Sequence, residues 1–572
     1  MSPVTGNAGD GKTAFLEQVE ALFRQNGATL ERLPSDNGCR WAFQGVHYET
    51  NHDGSQDEGD RSNDAVLASF LAPFEGTSLE GLGGNEARLI AINEGRLLDF
   101  LAHGAYAECF TGLRRFVLAS LQGDAQPPRA LLVNLNLRAI TAGGAESLVE
   151  RQLVAMLKDE LWAPCATCAC AAKCPIKFNA DTLRDRASGS AVRERVRRLL
   201  ELVHLRRRAH VTMRDLRSAL SFLLLRDQSC DDVARLLSRQ DAQLTEDLAR
   251  LYYPNAFADL DGETGPAVRT SGSGAAAEER AVDRLVRRLR ESDVGLVNSP
   301  VLDRRLDHDP TAAVPWMTFE GRSDEAWRVL LALTQNTPAP GDDVPFETLL
   351  DRRRKLQSMW RRWAYFERRD EGWRTMVPYR SAALLERIVT PGSSEDANAA
   401  MEELRDKVVD AISLSEGLRN KELRDHYLAL KITRVRDARI RSYRLFPKDS
   451  FGIHIDQAPA LIDYIEFAPD AVDIIAERGE GSARLRVSLD LLEMLELIGS
   501  GYRPTTTDLQ GLFVNLLIFR NELLTTTFDE VLVTTDDQEF YKISAQGAPD
   551  GIRLVLEKHS TSERAAAKGL AP

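Results

Sequence analysis

No run of apolar residues in this chain approaches the roughly 18 needed for a helix to cross a bilayer. No apolar leader opens it either, because Lys12 and Glu17 interrupt the first segment. The two absences point away from a helical membrane protein and from a signal peptide, and a cytoplasmic location without membrane partners is the expectation. Net positive charge is also missing: 73 Lys and Arg stand against 86 Asp and Glu, a balance of -13. That excludes a protein that coats nucleic acid over its whole surface, but leaves room for a local basic groove. Convincing internal repeats are lacking. What is present is the composition of a globular protein, 43% hydrophobic and 28% charged over 572 residues, a length that suits about three to four domains.

Residues 6–13 read GNAGDGKT, which matches the pattern G-x-x-x-x-G-K-[ST] at every defining position. The physical reason for the pattern is a loop whose glycines let the backbone curl, so that successive N–H groups face phosphate oxygens. The dipole of the following helix adds to the attraction. Gly6, Asn7, Ala8, Gly9, Asp10 and Gly11 form the cradle, Lys12 is expected to contact the β- and γ-phosphates, and Thr13 is expected to ligate Mg²⁺. The next residues, AFLEQVEALFRQNG, repeat apolar positions at helical spacing and stop at Gly27. A strand ordinarily precedes such a loop, and only MSPVT does so here. Ser2 and Pro3 suit a strand poorly, so the first strand is expected to be curtailed. A start site placed too late and a separated upstream domain are two explanations.

A P-loop ATPase also needs an acid at the end of a neighbouring strand, to hold the Mg²⁺ water shell and polarise the attacking water. The best match is LIAINE, residues 89–94. Asn93 takes the place of the expected Asp beside Mg²⁺, and Glu94 takes that of the catalytic base. Asp53, in the polar stretch NHDGS, is a rival acid. The next apolar run, LLVNLNLR, offers Asn134 or Asn136 as a sensor of the γ-phosphate, with Arg138 just behind. Uninterrupted apolar runs such as LIAIN and ALLVNL suit a parallel sheet covered on both faces.

Cysteines cluster at 165–174, which read CATCACAAKC. The spacing C-x2-C-x-C-x3-C, followed by Pro175, suggests a structural Zn²⁺ held by Cys165, Cys168, Cys170 and Cys174. His204 or His210 could replace one of them. An iron–sulfur cluster is the rival, although the run is one residue short of the ferredoxin spacing, and unmetallated thiols are the third reading.

An arginine-rich helical region follows. Thr212 reads as an N-cap with Asp215 in the first turn of TMRDLRSALSFLLL, a helix that buries Leu216, Leu220 and Leu223. Arg214 or Arg217 could lie over the nucleotide as a lid arginine that stabilises γ-phosphate charge. A phosphate-contacting patch for nucleic acid is a second reading. Interspersed Glu194, Glu201 and Asp215 favour a solvated face with ion pairs for most of these arginines, and no aromatic residues interleave with them for base stacking.

The expected fold class is α/β: a P-loop NTPase parallel sheet flanked by helices, with a helical lid and a mixed, mainly helical C-terminal region. The expected divisions are 1–160 for the core, 161–180 for the cysteine-rich insertion and 181–310 for the lid. A helical region, 311–445, and a mixed α/β region, 446–572, complete the chain. Residues 271–277, SGSGAAA, read as a linker, and the tail STSERAAAKGLAP as disordered.

Taken together, GNAGDGKT, LIAINEGRLLDFL, LLVNLNLR, CPIKFNA and HVTMRDLRSAL resemble a family of bacterial AAA+-like ATPases of anti-phage defence operons, such as the ATPase of phosphorothioation-dependent restriction. The resemblance covers about residues 6–306. It implies a homo-oligomeric ATPase that couples ATP binding to recognition of double-stranded DNA or to control of an effector or other defence-system proteins. A nucleotide-dependent switch with little hydrolysis and a DNA-binding interaction protein are the alternatives.

Overall fold

The computed structural model describes residues 2–35, 37–79, 84–122, 130–206, 210–241, 243–258, 281–335, 345–390, 393–432, 440–455, 465–478, 481–505, 514–525, 530–534, 539–548 and 551–558. The linker at 271–277, the tail at 560–572 and Arg207 and Arg208 lie outside the described residues. Two compact units form. The first comprises Met1–His204, Ala209–Pro378 and Ala458–Ala468, and the second comprises Leu205–Arg208, Tyr379–Gln457 and Pro469–Pro572.

Unit 1 is built on a six-stranded mixed sheet in the order β2-β3-β4-β5-β1-β6. Its strands are β1 (Ser2–Thr5), β2 (Thr29–Ser35), β3 (Gly38–Phe43), β4 (Val46–Asn51), β5 (Glu86–Ile92) and β6 (Val133–Asn134). β4, β5, β1 and β6 run parallel, and β2 and β3 extend the sheet antiparallel. The sequence RWAFQGVHYE is therefore a hairpin. Its turn places Gln44 at φ 51° and Gly45 at φ 77°, the left-handed pair that suits the twist of the flanking strands.

The short first strand does form. β1 pairs with β5 along its whole length, whereas β6 pairs only with Val4 and Thr5. Pro3 therefore has a strand on one side only, the edge-like setting in which proline is tolerated. Alternation along β5 sends its side chains to both faces. Ile90 and Ile92 join a core with Leu67, Leu97, Phe100 and Phe116, while Ala91 joins Val4, Leu16 and Leu135. The first core is covered by α2 (Asn63–Leu71) and α3 (Glu94–Ala102), the second by α1 (Lys12–Gln25). Burial on both faces accounts for the unbroken apolar run in LIAIN.

The remainder of unit 1 is helical, including Pro175–Arg184, Gly189–Leu205, Met213–Leu225 and Phe346–Glu367. Many of its arginines make ion pairs and hydrogen bonds inside the unit. Arg193 meets Glu150, Arg195 donates to the carbonyls of Phe366 and Arg368, Arg361 meets Asp303, and Arg362 meets Asp293. Unit 2 holds a five-stranded antiparallel sheet, ordered β14-β13-β12-β8-β7, and a three-stranded antiparallel sheet, β11-β10-β9. Their strands are β7 (Tyr427–Lys431), β8 (Arg441–Pro447), β9 (Phe451–Ile455), β10 (Val472–Arg478), β11 (Gly481–Val487), β12 (Glu530–Thr534), β13 (Phe540–Ala548) and β14 (Gly551–Lys558). The two antiparallel sheets occur in the same unit as the helices Ser394–Ser415 and Leu489–Gly499. Among the described residues, no helix is long and apolar enough to cross a membrane.

Candidate functional site

The sheet register decides where the chemistry-bearing residues meet. Thr5 pairs with Ile92 on one side and with Asn134 on the other, so β5, β1 and β6 end side by side and in parallel. The residues that follow those ends are the loop 6–13, the pair Asn93–Glu94, and the turn Leu135–Leu137. The crevice outside the carboxyl ends of parallel strands is where open α/β sheets bind ligands.

The loop is shaped by its glycines. Gly9 and Gly11 have φ of 97° and 89°, in the region that strains other residues. Gly9 has a second reason to be glycine. A Cβ there would stand 2.9 Å from Arg214 Cβ and 3.2 Å from Thr212 Oγ1, whereas one on Gly11 would meet nothing within 4 Å. Gly9→Ala should therefore destabilise unit 1 by about 1–3 kcal/mol, and Gly11→Ala by only the conformational part, about 1 kcal/mol. Urea midpoints of the two variants check this; equal losses would contradict the packing argument.

Asp10 is buried at 4% exposure and braces the loop from within. Its Oδ2 accepts the Asn7 N–H at 2.6 Å, and its Oδ1 lies 2.9 Å from His210 Nε2. The helix Met213–Leu225 docks on the other side, with the Arg214 N–H donating to the Gly9 carbonyl at 3.2 Å. Its start is fixed by a capping box between Thr212 and Asp215, as the sequence suggests. Leu216, Leu220 and Leu223 are buried beneath it.

Lys12 makes three hydrogen bonds through Nζ: to the carbonyls of Gly6 at 3.1 Å and Asn7 at 2.9 Å, and to Asn93 Oδ1 at 2.9 Å. It thus ties the loop to the end of β5. Burial lowers its pKa, and the carboxylates of Asp10 and Asp53 oppose that shift. Thr13 Oγ1 donates to the His52 carbonyl at 3.0 Å. Glu94 opens α3 and is held by two amides. Its Oε2 accepts from Asn136 Nδ2 at 2.8 Å and from Asn134 Nδ2 at 3.4 Å. Both candidate asparagines therefore reach the same carboxylate, because the chain turns into the 3-10 helix Leu135–Leu137 directly after Asn134. Among the described residues, no backbone acceptor takes the N–H groups of Ala8, Gly9, Gly11, Lys12 or Thr13. They are the loop's donors and those of the open first turn of α1.

Arg214 and Arg217 are both exposed. Arg214 lies against the loop, its Nε 3.5 Å from the position a Gly9 Cβ would take. Arg138 turns away from the site, toward Glu466 at 3.3 Å.

The cysteine segment is folded into the short helices Ala163–Thr167 and Ala171–Lys173, and Cys174 caps the helix Pro175–Arg184. All seven cysteines are free. Among the described residues, no three His, Cys, Asp or Glu side chains form a group that could hold a metal ion, so Cys165, Cys168, Cys170 and Cys174 are not drawn up as ligands. Burial raises the Cys165 thiol pKa first, and Cys230 and Cys168 add to it. Burial likewise raises that of Cys174, with Cys165 and Cys230 adding to it. Cys230, far along the sequence, is thus a neighbour that spacing alone could not reveal. His210 faces Asp10, and His204 faces the Ala468 carbonyl at 3.1 Å.

Sequence reasoning offered His210 only as an alternative metal ligand and missed its contact with Asp10, and it also missed His52 and the convergence of Asn134 and Asn136 on Glu94. The two histidines carry no motif, since their roles come from loops brought to the site by the fold. Set against family models, curated proteins and solved structures, the chain matches none.

Proposed function

We propose that the chain binds ATP with Mg²⁺ on residues 6–13 and hydrolyses it, as a P-loop ATPase of the AAA+-like kind. One observation carries this reading: a glycine-rich loop with free N–H groups, a lysine, a hydroxyl and a carboxylate meet at the ends of three neighbouring parallel strands. Free N–H groups at the start of a 14-residue helix suit phosphate oxygens. Lys12 would exchange its bonds to the Gly6 and Asn7 carbonyls for the β- and γ-phosphates. Thr13 would offer its oxygen to Mg²⁺, with the neutral Asn93 alongside. Glu94, steadied by Asn134 and Asn136, would align the attacking water. Arg214 is the better of the two lid arginines for the γ-phosphate, since it lies against the loop.

The wider setting rests on the motif resemblance alone. It comprises a homo-oligomer in an anti-phage defence system, with an effector partner or double-stranded DNA. ATP turnover of the full chain, with and without double-stranded DNA, tests both levels. Turnover above background supports the ATPase, and stimulation by DNA supports the coupled machine. ATP binding without turnover would replace it by a nucleotide-dependent switch.

The zinc reading of the cysteine segment is a separate proposal that stands on spacing. Elemental analysis of the purified chain decides it. About one zinc per chain is expected for a structural site; finding no zinc would sink the proposal, and finding iron would replace it by a cluster.

A further inference from the structure

The sequence leaves one chemical gap: Asn93 is neutral where the metal end of a nucleotide site ordinarily has a carboxylate. We propose that the turn 51–55 fills it, with Asp53 holding the water shell of the nucleotide's Mg²⁺ beside Thr13, and with the Glu20–His52 pair positioning that turn. The inference rests on the nucleotide reading above and deepens it.

The turn is pinned to both sides of the site. On the α1 side, the His52 carbonyl accepts the Thr13 hydroxyl at 3.0 Å. A hydroxyl that gives its oxygen to Mg²⁺ must direct its proton elsewhere, and this carbonyl is the acceptor. On the β5 side, the Gly54 N–H donates to the Ala91 carbonyl at 2.8 Å. Gly54 lies so close to β5 that a Cβ on it would stand 2.9 Å from Ile92 Cβ. Asp53 is therefore held between the residue after Lys12 and the strand end that leads to Asn93.

The turn is also braced from behind. His52 Nε2 lies 2.8 Å from Glu20 Oε1, which also accepts the Thr50 hydroxyl at 2.5 Å. Glu20 projects from α1 and is only 8% exposed. The Asp53 N–H is shared by Asn37 Oδ1 at 2.9 Å and Asn51 Oδ1 at 3.1 Å. Asp53 Oδ1 takes the N–H and hydroxyl of Ser55. Among the described residues its Oδ2 has no hydrogen-bond partner, and the residue is exposed. The carboxylate also acts on Lys12 through space, opposing the effect of burial on that amine. Such a limb suits Mg²⁺, which keeps several waters and takes one or two protein groups plus substrate phosphates rather than a protein cage. Glu20 and His52 are positioning residues, since they act only through the turn.

The test is ATP affinity of the full chain as a function of free Mg²⁺, in wild type, Asp53→Asn and Lys12→Ala. Asparagine keeps the oxygen that receives Ser55, so the turn should persist. The expected result is an unchanged affinity in EDTA, with the half-saturating Mg²⁺ raised about 10- to 100-fold in Asp53→Asn. Lys12→Ala should instead lose affinity at every Mg²⁺ level. An Asp53→Asn titration that overlays wild type would overturn the metal limb and leave the nucleotide reading intact. A wild type that binds no ATP at any Mg²⁺ level would overturn both.

Discussion

Glu94→Gln should lower ATP turnover about 10²- to 10⁴-fold, the usual contribution of a positioned general base, while leaving ATP affinity near wild type. The substitution is mild by design. Glu94 receives the side-chain amides of Asn134 and Asn136 on one oxygen, and the glutamine carbonyl can receive the same two donors. The position of the side chain is thereby kept, and only its ability to take a proton is removed. Single-turnover hydrolysis alongside equilibrium binding separates the two effects. Equal turnover in the two proteins would remove Glu94 from the chemistry. A parallel loss of affinity would mean that Glu94 holds the site together instead.

Lys12→Ala should weaken ATP binding about 100-fold or more, or about 3 kcal/mol, because hydrogen bonds from a charged donor to phosphate are among the stronger ones. A local effect comes on top. Lys12 joins the Gly6 and Asn7 carbonyls to Asn93, so its removal also uncouples the loop from β5. The Thr212–Asp215 cap and the Asp10–His210 contact do not depend on the lysine. The variant should therefore fold, with a circular dichroism spectrum like that of the wild type. A folded Lys12→Ala that binds ATP as the wild type does would contradict the assignment.

The parts of the site that were legible in the sequence are the contiguous ones. GNAGDGKT announces a loop and a helix because glycine freedom, a lysine and a helix start occur in fixed order. LIAIN announces a doubly covered strand because both alternating sets of its side chains are apolar. Thr212 and Asp215 announce a helix start because a capping box is local. The illegible parts depend on long-range register. Nothing in NLNL tells that Asn134 and Asn136 converge on Glu94, since that follows from β6 ending after two residues. Nothing local links His210 to Asp10, or Cys230 to Cys165 and Cys174. The strand order, which sets β1 directly between β5 and β6, is likewise a property of the assembled sheet. In unit 2 the runs EVLVTT, FYKISA and GIRLVLEKH read as strands by composition, but their antiparallel pairing is fixed only by the partners they find.

Calorimetric titration of the full chain with ATP and Mg²⁺ tests most directly whether residues 6–13 form a nucleotide site. Saturable binding of about one ATP per chain, lost in Lys12→Ala, is the expected result. No binding to the wild type, or binding that Lys12→Ala leaves unchanged, would contradict it.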